Sequence, residues 1–496
     1  MQIPPRRLIQ ANAAPVRPER AYVLYWMTAA RRTRSNFALQ HAATQADELG
    51  LPLVVLEAVR AGYPWANARH HRFILDGMAA NADAFASTPV GYYPFAERSV
   101  GDGHGLLQAL GARAALVVGD DSPMFFLRRM VESAAAQLDC RLDLVDGNGI
   151  VPLRVPDRTF KTAYSFRRFL HKVLHDHLDV APGDEPLAGA DLAPATVPEA
   201  VLERWPALSA AELADPDALV ARLPIDQSVA PTEPRGGAVE ARRHLDRFVQ
   251  HVDGYADDRN RMDGTATSGL SPYLHYGHIS SHTILAALAR SEGIEQFEPQ
   301  ATGKGQREGW WNASPSAEAF LDQLITWREL GFNRAHREGA SDTFDTLPEW
   351  AQHTLMEHAA DPRPYEYEID TLEAAGTHDE LWNAAQRQLA RDGIIHNYLR
   401  MLWGKKILEW ASSPELALSY MLELNNKYAL DGRDPNSVSG ICWVMGRYDR
   451  AWGPERPIFG KIRYMSSANA ARKLRLADYL ARYGPQPQLD LSATLD

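Results

Sequence analysis

A change of hydrophobic period near the middle of the chain constrains its fold more than any other feature. Residues 21–150 carry short apolar, β-rich runs: AYVLYWM (21–27), LPLVVLEAV (51–59), VGYYPF (90–95), AALVVG (114–119) and RLDLVDG (141–147). Helix-length amphipathic stretches separate them, as at 36–49 and 71–85. Strands joined by crossovers of that length cannot pair as hairpins, so the pattern predicts a parallel five-stranded, Rossmann-like α/β domain over 20–175. Beyond Ala238 strand signals nearly vanish, and helical patterns follow at 238–253, 278–291, 316–333, 378–391, 393–410 and 414–428. They predict an all-α domain over 238–483. The stretch between, 176–237, is rich in Pro, Ala and Asp and reads as a connector crossing the surface.

Several function classes fall away at once. TAARRTRSN follows the first strand in place of GxGxxG, and no GxxxxGK[ST] occurs, so the dinucleotide fingerprint and the phosphate loop are both missing. Two cysteines, Cys140 and Cys442, exclude a disulfide framework and a four-thiolate cluster, and point to a reducing compartment. MQIPPRRLIQANAAPVRPER lacks the apolar core of a secretory signal, and no run approaches the ~18 apolar residues of a membrane span. The expectation is a cytoplasmic protein without membrane attachment. Net charge is -11, which taken as a sum argues against a polyanionic partner. Its distribution argues otherwise: 342–392 holds twelve acidic and three basic residues, whereas 441–482 holds nine Lys/Arg against three acids. A locally basic face is what a phosphate backbone requires, although a solvated surface would look the same.

Four constellations could carry chemistry. Thr267-Ser268-Gly269-Leu270-Ser271 precedes a helix, where hydroxyls and free N–H groups either hold an anion or merely cap. In LDGRDPN (430–436), two carboxylates, an arginine and an asparagine either close a loop through Asx turns or pair Asp431 with a distant arginine over a ligand. Nine of the twelve tryptophans fall after residue 300, and Trp403 and Trp410 lie two turns apart on one helix with Trp382 on the helix before it. Such a stripe is core packing or an electron path. Glu329, in TWREL, is either paired with its neighbouring arginine or buried with a raised pKa, as a site residue would be.

These elements in this order resemble the photolyase/cryptochrome flavoproteins, most of all the class II cyclobutane-pyrimidine-dimer photolyases. The resemblance rests on AYVLYWMTAARRTRSNFAL (21–39), IVPLR (150–154), TSGLSPYLHYGHIS (267–280), WRELGFN (327–333), LWNAAQ (381–386), LRMLWGKKILEW (399–410), ELNNKYALDGRDPN (423–436) and GPERPIFGKIRYM (453–465). It implies FAD, active as FADH⁻, in the helical domain, and leaves open a second antenna chromophore, deazaflavin or folate, in the α/β domain. By motif, Tyr255 and Thr267 to Ser271 would bind the FAD phosphates and ribitol, Arg400 would pair with Asp431 beside the flavin ring, and Asn425 or Asn436 would approach flavin N5. Trp403, Trp382 and Trp410 would form a photoreduction chain, proximal to surface in that order. Glu329 would bond the lesion, Trp443 would wall its pocket, and Arg259 and Asn260 would fill the gap left by the flipped-out dimer. Arg447 and Arg463 belong to the expected DNA face. The implied activity is that of a deoxyribodipyrimidine photo-lyase splitting pyrimidine dimers in damaged DNA, as a monomer without a metal; the alternative is a blue-light sensor that signals through a partner. The few residues after Arg482 and the presence of Glu329 and Trp443 favour repair. Two departures stand out: Tyr448 occupies a position where class II members carry His, and His396-Asn397 looks more like the class I version of its helix.

Overall fold

The computed structural model describes residues 3–262, 266–339 and 342–485. It divides into two compact units. The first comprises residues 1–257, 266–341 and 433–438, and the second 258–265, 342–432 and 439–496.

The first unit is built on a six-stranded sheet: β1 (Leu8–Gln10), β2 (Tyr22–Met27), β3 (Leu53–Val59), β4 (Gly91–Ala96), β5 (Ala114–Asp120) and β6 (Arg141–Val145), in the order β1-β6-β5-β2-β3-β4. β2 to β6 are parallel, as expected, while β1 adds an antiparallel edge beside β6. A three-residue strand carries too little periodicity to be seen in sequence. β2 and β5 are buried along their whole length, because helices cover both faces of a parallel sheet. Buried carboxylates enter this sheet at Glu57, Asp120 and Asp143, and Glu57 is matched by Arg31 at 3.0 Å, Asn81 at 2.9 Å and the Tyr92 hydroxyl at 2.7 Å. The first crossover helix, Phe37–Leu49, starts where the Asn36 side chain accepts the Ala38 and Leu39 N–H groups, and stops at Gly50 in the left-handed region, φ 63°.

Of the helical stretch from Ala238 to Glu338, residues 238–257 and 266–338 belong to this first unit, so the boundary of compactness does not follow the change of period expected at Ala238. His278 accepts the Gly237 N–H through Nδ1, and the Tyr276 hydroxyl meets His70 Nδ1 at 2.9 Å. The helix expected over 316–333 contains a wider, π-type turn at Asp322–Trp327 between the helices Pro315–Leu321 and Arg328–Glu338. Turns of that kind gather at functional sites, and periodicity of 3.6 cannot reveal them.

The second unit is helical. Its central helices are Glu380–Asp392, capped by Asp379 and closed by Gly393, Asn397–Trp410, capped by His396, and Pro414–Tyr428, capped by Ser413. No helix among the described residues is long and apolar enough to cross a membrane. Cys140 and Cys442 are free thiols, both buried.

Candidate functional site

In the second unit, helix spacing delivers Arg400, Trp403 and Trp410 along one helix, and three-dimensional packing brings up their partners. Arg400 donates to both oxygens of Asp431, at 3.0 and 3.4 Å, a two-pronged pair of the kind only guanidinium makes. Its third nitrogen, Nε, is buried and has no hydrogen-bond partner among the described residues. An orphaned guanidinium donor is a costly feature unless an acceptor outside the chain completes it. Asn425 is buried on the helix Pro414–Tyr428, and the loop carrying Asp431 passes so close to it that a Cβ on Gly432 would lie 2.8 Å from the Asn425 carbonyl. Asn436 is exposed, in the other compact unit.

Trp382 stands between the other two tryptophans. Its ring lies parallel to Trp403, with centroids 6.4 Å apart, and meets Trp410 edge-on at 5.4 Å. The indole N–H of Trp382 is held by the Trp403 carbonyl and that of Trp403 by Gln386. The order Trp403, Trp382, Trp410 is therefore a spatial one. Trp410 is not the surface end, however, being 1% exposed under Tyr367 and His378. Sequence reasoning missed these two residues because they come from loop and turn positions without period.

Trp443 is half-buried, with Lys405 Nζ 5.5 Å and Arg463 Cζ 5.7 Å from its ring centre. Arg463 is exposed and also lies over Trp452, at 4.9 Å, while Arg450 covers Trp452 at 4.5 Å. Lys405 is fully enclosed, and burial pushes its ammonium down to about 7; it donates to the Val444 carbonyl. Arg447 does not belong to this group. It is 1% exposed and donates to the carbonyl and hydroxyl of Thr346, so a phosphate cannot reach it, contrary to the expectation of a DNA contact. Asn260 is exposed on a turn whose Arg259 carbonyl is held by His396 Nε2 at 3.0 Å. Tyr448 is buried with φ 64°, a left-handed backbone unusual for a tyrosine.

In the first unit, Leu270 and Ser271 open the short helix Ser271–His275 without a side-chain cap, Pro272 occupies its first turn, and Gly269 turns the chain at φ 64°. Thr267 and Gly269 are exposed and Ser268 is half-buried. The Tyr255 ring is packed edge-on against Phe248 and Phe320. Glu329 proves to be buried, and desolvation raises its carboxyl to about 7. Both oxygens are engaged, accepting the N–H groups of Ile150 at 2.6 Å and Val151 at 3.2 Å. Arg328 donates to the Asn148 carbonyl, and Arg7 to those of Asp146, Gly149 and Ile150. Glu329 thus grips the 146–151 segment with its neighbours, each carboxyl oxygen taking one backbone donor of that segment. Gly149 makes the grip possible, since a Cβ there would stand 2.7 Å from the Glu329 carboxyl.

The carboxyl ends of β2, β3 and β4 open on a cavity of about 620 Å³, lined by Trp26, Tyr63, Phe95 and Phe126 with Arg31 and Glu97 among them. Open parallel sheets bind ligands at that end.

A parallel α/β body followed by a helical unit with a paired Arg–Asp and a tryptophan path describes a two-part photolyase architecture. A class III photolyase from Agrobacterium tumefaciens shares the fold, with TM-score 0.64 over 95% of this chain and 87% of its own at 18% identity. A curated deoxyribodipyrimidine photo-lyase from Methanothermobacter thermautotrophicus is 35% identical over 479 residues, spanning 93% of this chain and 94% of that protein. Those of Oryza sativa subsp. japonica and Potorous tridactylus are 34% and 30% identical, covering 92% and 97% of this chain and 87% and 84% of their own. No family model matches the chain. The chain belongs to the photolyase/cryptochrome family, on the side of the deoxyribodipyrimidine photo-lyases.

Proposed function

We propose that the protein is a light-driven DNA-repair lyase that splits cyclobutane pyrimidine dimers, and that it holds FAD. The observation that carries this reading is 35% identity to a named deoxyribodipyrimidine photo-lyase across nearly the whole chain. Reduced FAD, when bound, supplies and recovers the one electron that opens the dimer ring, chemistry that no side chain provides. The rest is the work of the chain. Arg400, fixed by Asp431 and left with an unused Nε–H, supplies positive charge and a donor to the flavin ring, and Asn425 supplies the amide at N5. Tyr255 and Thr267 to Ser271 are assigned the ribityl phosphate end, where uncapped helix N–H groups favour an anion.

Flipping a dimer out of the duplex is cheapest where stacking and pairing are already damaged, and an aromatic wall then replaces lost stacking at about 1–3 kcal/mol per base. Trp443, with Lys405 and Arg463 against its ring, is assigned that wall. Arg259 and Asn260 enter the gap in the duplex, and Arg463 binds phosphate. The aromatic cavity of the α/β domain is the place for an antenna chromophore. The protein works as a monomer in the cytoplasm. Blue-light illumination of the chemically reduced protein with dimer-containing DNA tests the proposal: dimers should disappear in proportion to light dose. Unchanged dimer content with flavin present would leave only the light-sensing alternative.

A further inference from the structure

Trp410 makes a poor end for an electron path. It is 1% exposed, so a charge left on it meets no water. Two rings close it off, Tyr367 edge-on at 5.3 Å and His378 at 5.4 Å. Two hydrogen bonds join Tyr367 and His378. The Tyr367 hydroxyl oxygen accepts the His378 backbone N–H at 3.1 Å, and a hydroxyl has only one proton to give. The same oxygen lies 2.8 Å from His378 Nδ1, within reach to donate that proton when the imidazole carries its hydrogen on Nε2. The His378 side chain is exposed, and Tyr365, 48% exposed, stacks on it at 3.7 Å and 18°. An oxidisable phenol, a base at proton-transfer distance and an outlet to water thus stand in sequence behind the buried indole.

We propose that Tyr367 is the terminal electron donor of the Trp403–Trp382–Trp410 path and that His378 accepts its proton. The inference rests on the reading that FAD is photoreduced through these tryptophans. The step balances as follows. Trp410, one electron short after light has drawn an electron along the path to FAD, takes an electron from Tyr367. The Tyr367 O–H bond breaks as an N–H bond forms at His378 Nδ1, and the imidazolium releases its Nε2 proton to water. Trp410 is restored, Tyr367 is a neutral tyrosyl radical, and one proton has left the protein. Return of the electron then requires the proton to come back, which keeps the separated charge alive.

The test is transient absorption and trapped-radical EPR on the full chain loaded with oxidised FAD. Wild type should end in a tyrosyl signal whose formation is slowed in deuterium oxide. Tyr367→Phe, which keeps the ring packing, should end in a tryptophanyl signal with no isotope effect. His378→Asn retains an acceptor near the Nδ1 position but no base, and should slow tyrosyl formation about 10²-fold or more, the usual contribution of a positioned base. Tyr365→Phe should retain the tyrosyl signal. Nitrogen NMR of the dark protein should find His378 with its proton on Nε2. A wild-type radical that stays on tryptophan, a tyrosyl that survives Tyr367→Phe, or wild-type kinetics in His378→Asn overturns the proposal while leaving photoreduction intact. Absence of any aromatic radical overturns the FAD photoreduction reading and this inference together.

Discussion

Glu329, buried, and Arg400, half-buried, are motif charges in different compact units, and their surroundings differ. Each Glu329 carboxyl oxygen accepts one backbone N–H, from Ile150 and from Val151, so both oxygens are engaged inside the chain. Arg400 is held by Asp431 yet retains a buried Nε without a partner among the described residues, so part of its capacity is unused inside the chain. Motif membership is the same for both; what differs is that both oxygens of Glu329 have partners within the fold, whereas one guanidinium nitrogen of Arg400 has none among the described residues.

That contrast can be broken at several points, of which the electron path gives the largest effect. Trp403→Phe should reduce photoreduction of oxidised FAD to background while sparing repair by protein reduced chemically beforehand, as followed by flavin bleaching and dimer counting. Equal photoreduction in mutant and wild type would refute the path. Arg400→Ala should weaken FAD binding by about 2–5 kcal/mol, the usual cost of truncating a buried charge pair, with the fold retained by circular dichroism. Unchanged flavin affinity would show that the orphan donor does not face the cofactor.

Glu329→Gln should cost about 1–3 kcal/mol of stability, since one backbone donor loses its acceptor, and should leave the repair rate of flavin-loaded protein nearly unchanged. A specific loss of repair at full stability would return Glu329 to the lesion. The pH dependence has a definite sign. The folded pKa of about 7 lies above the ordinary 4.5, so this group's contribution is complete below about pH 4.5 and is lost as pH rises through 7. Denaturation midpoints of Glu329→Gln relative to wild type should therefore improve with pH across that window. The smallest effect belongs to the surface. Arg463→Ala should lower DNA affinity by about 1 kcal/mol and the salt slope by about 1, whereas Arg447→Ala should lower stability and leave the salt slope alone.

The legible parts of the molecule are those in which period and local chemistry agree. Five parallel strands, the crossover helix capped at Asn36 and the helices that bear the tryptophans were all predictable from runs and caps. β1 was not, because three residues have no period, and neither was the π-type turn at Asp322–Trp327. The tryptophan path was legible as a stripe at helical spacing, but its outer end was not. Tyr365, Tyr367 and His378 lie outside the regular helices in an acidic stretch that reads as solvated surface, and only packing sets them against Trp410.

By itself the sequence determined the class of each domain and the family, because periodicity, capping and motif order are local properties carried along the chain. The tertiary structure alone decided which buried charges are satisfied, which arginine reaches the surface and where the aromatic path meets water. Those are questions of distance between residues far apart in sequence, and a hydrogen bond or a ring contact is made or missed over an ångström that no spacing encodes.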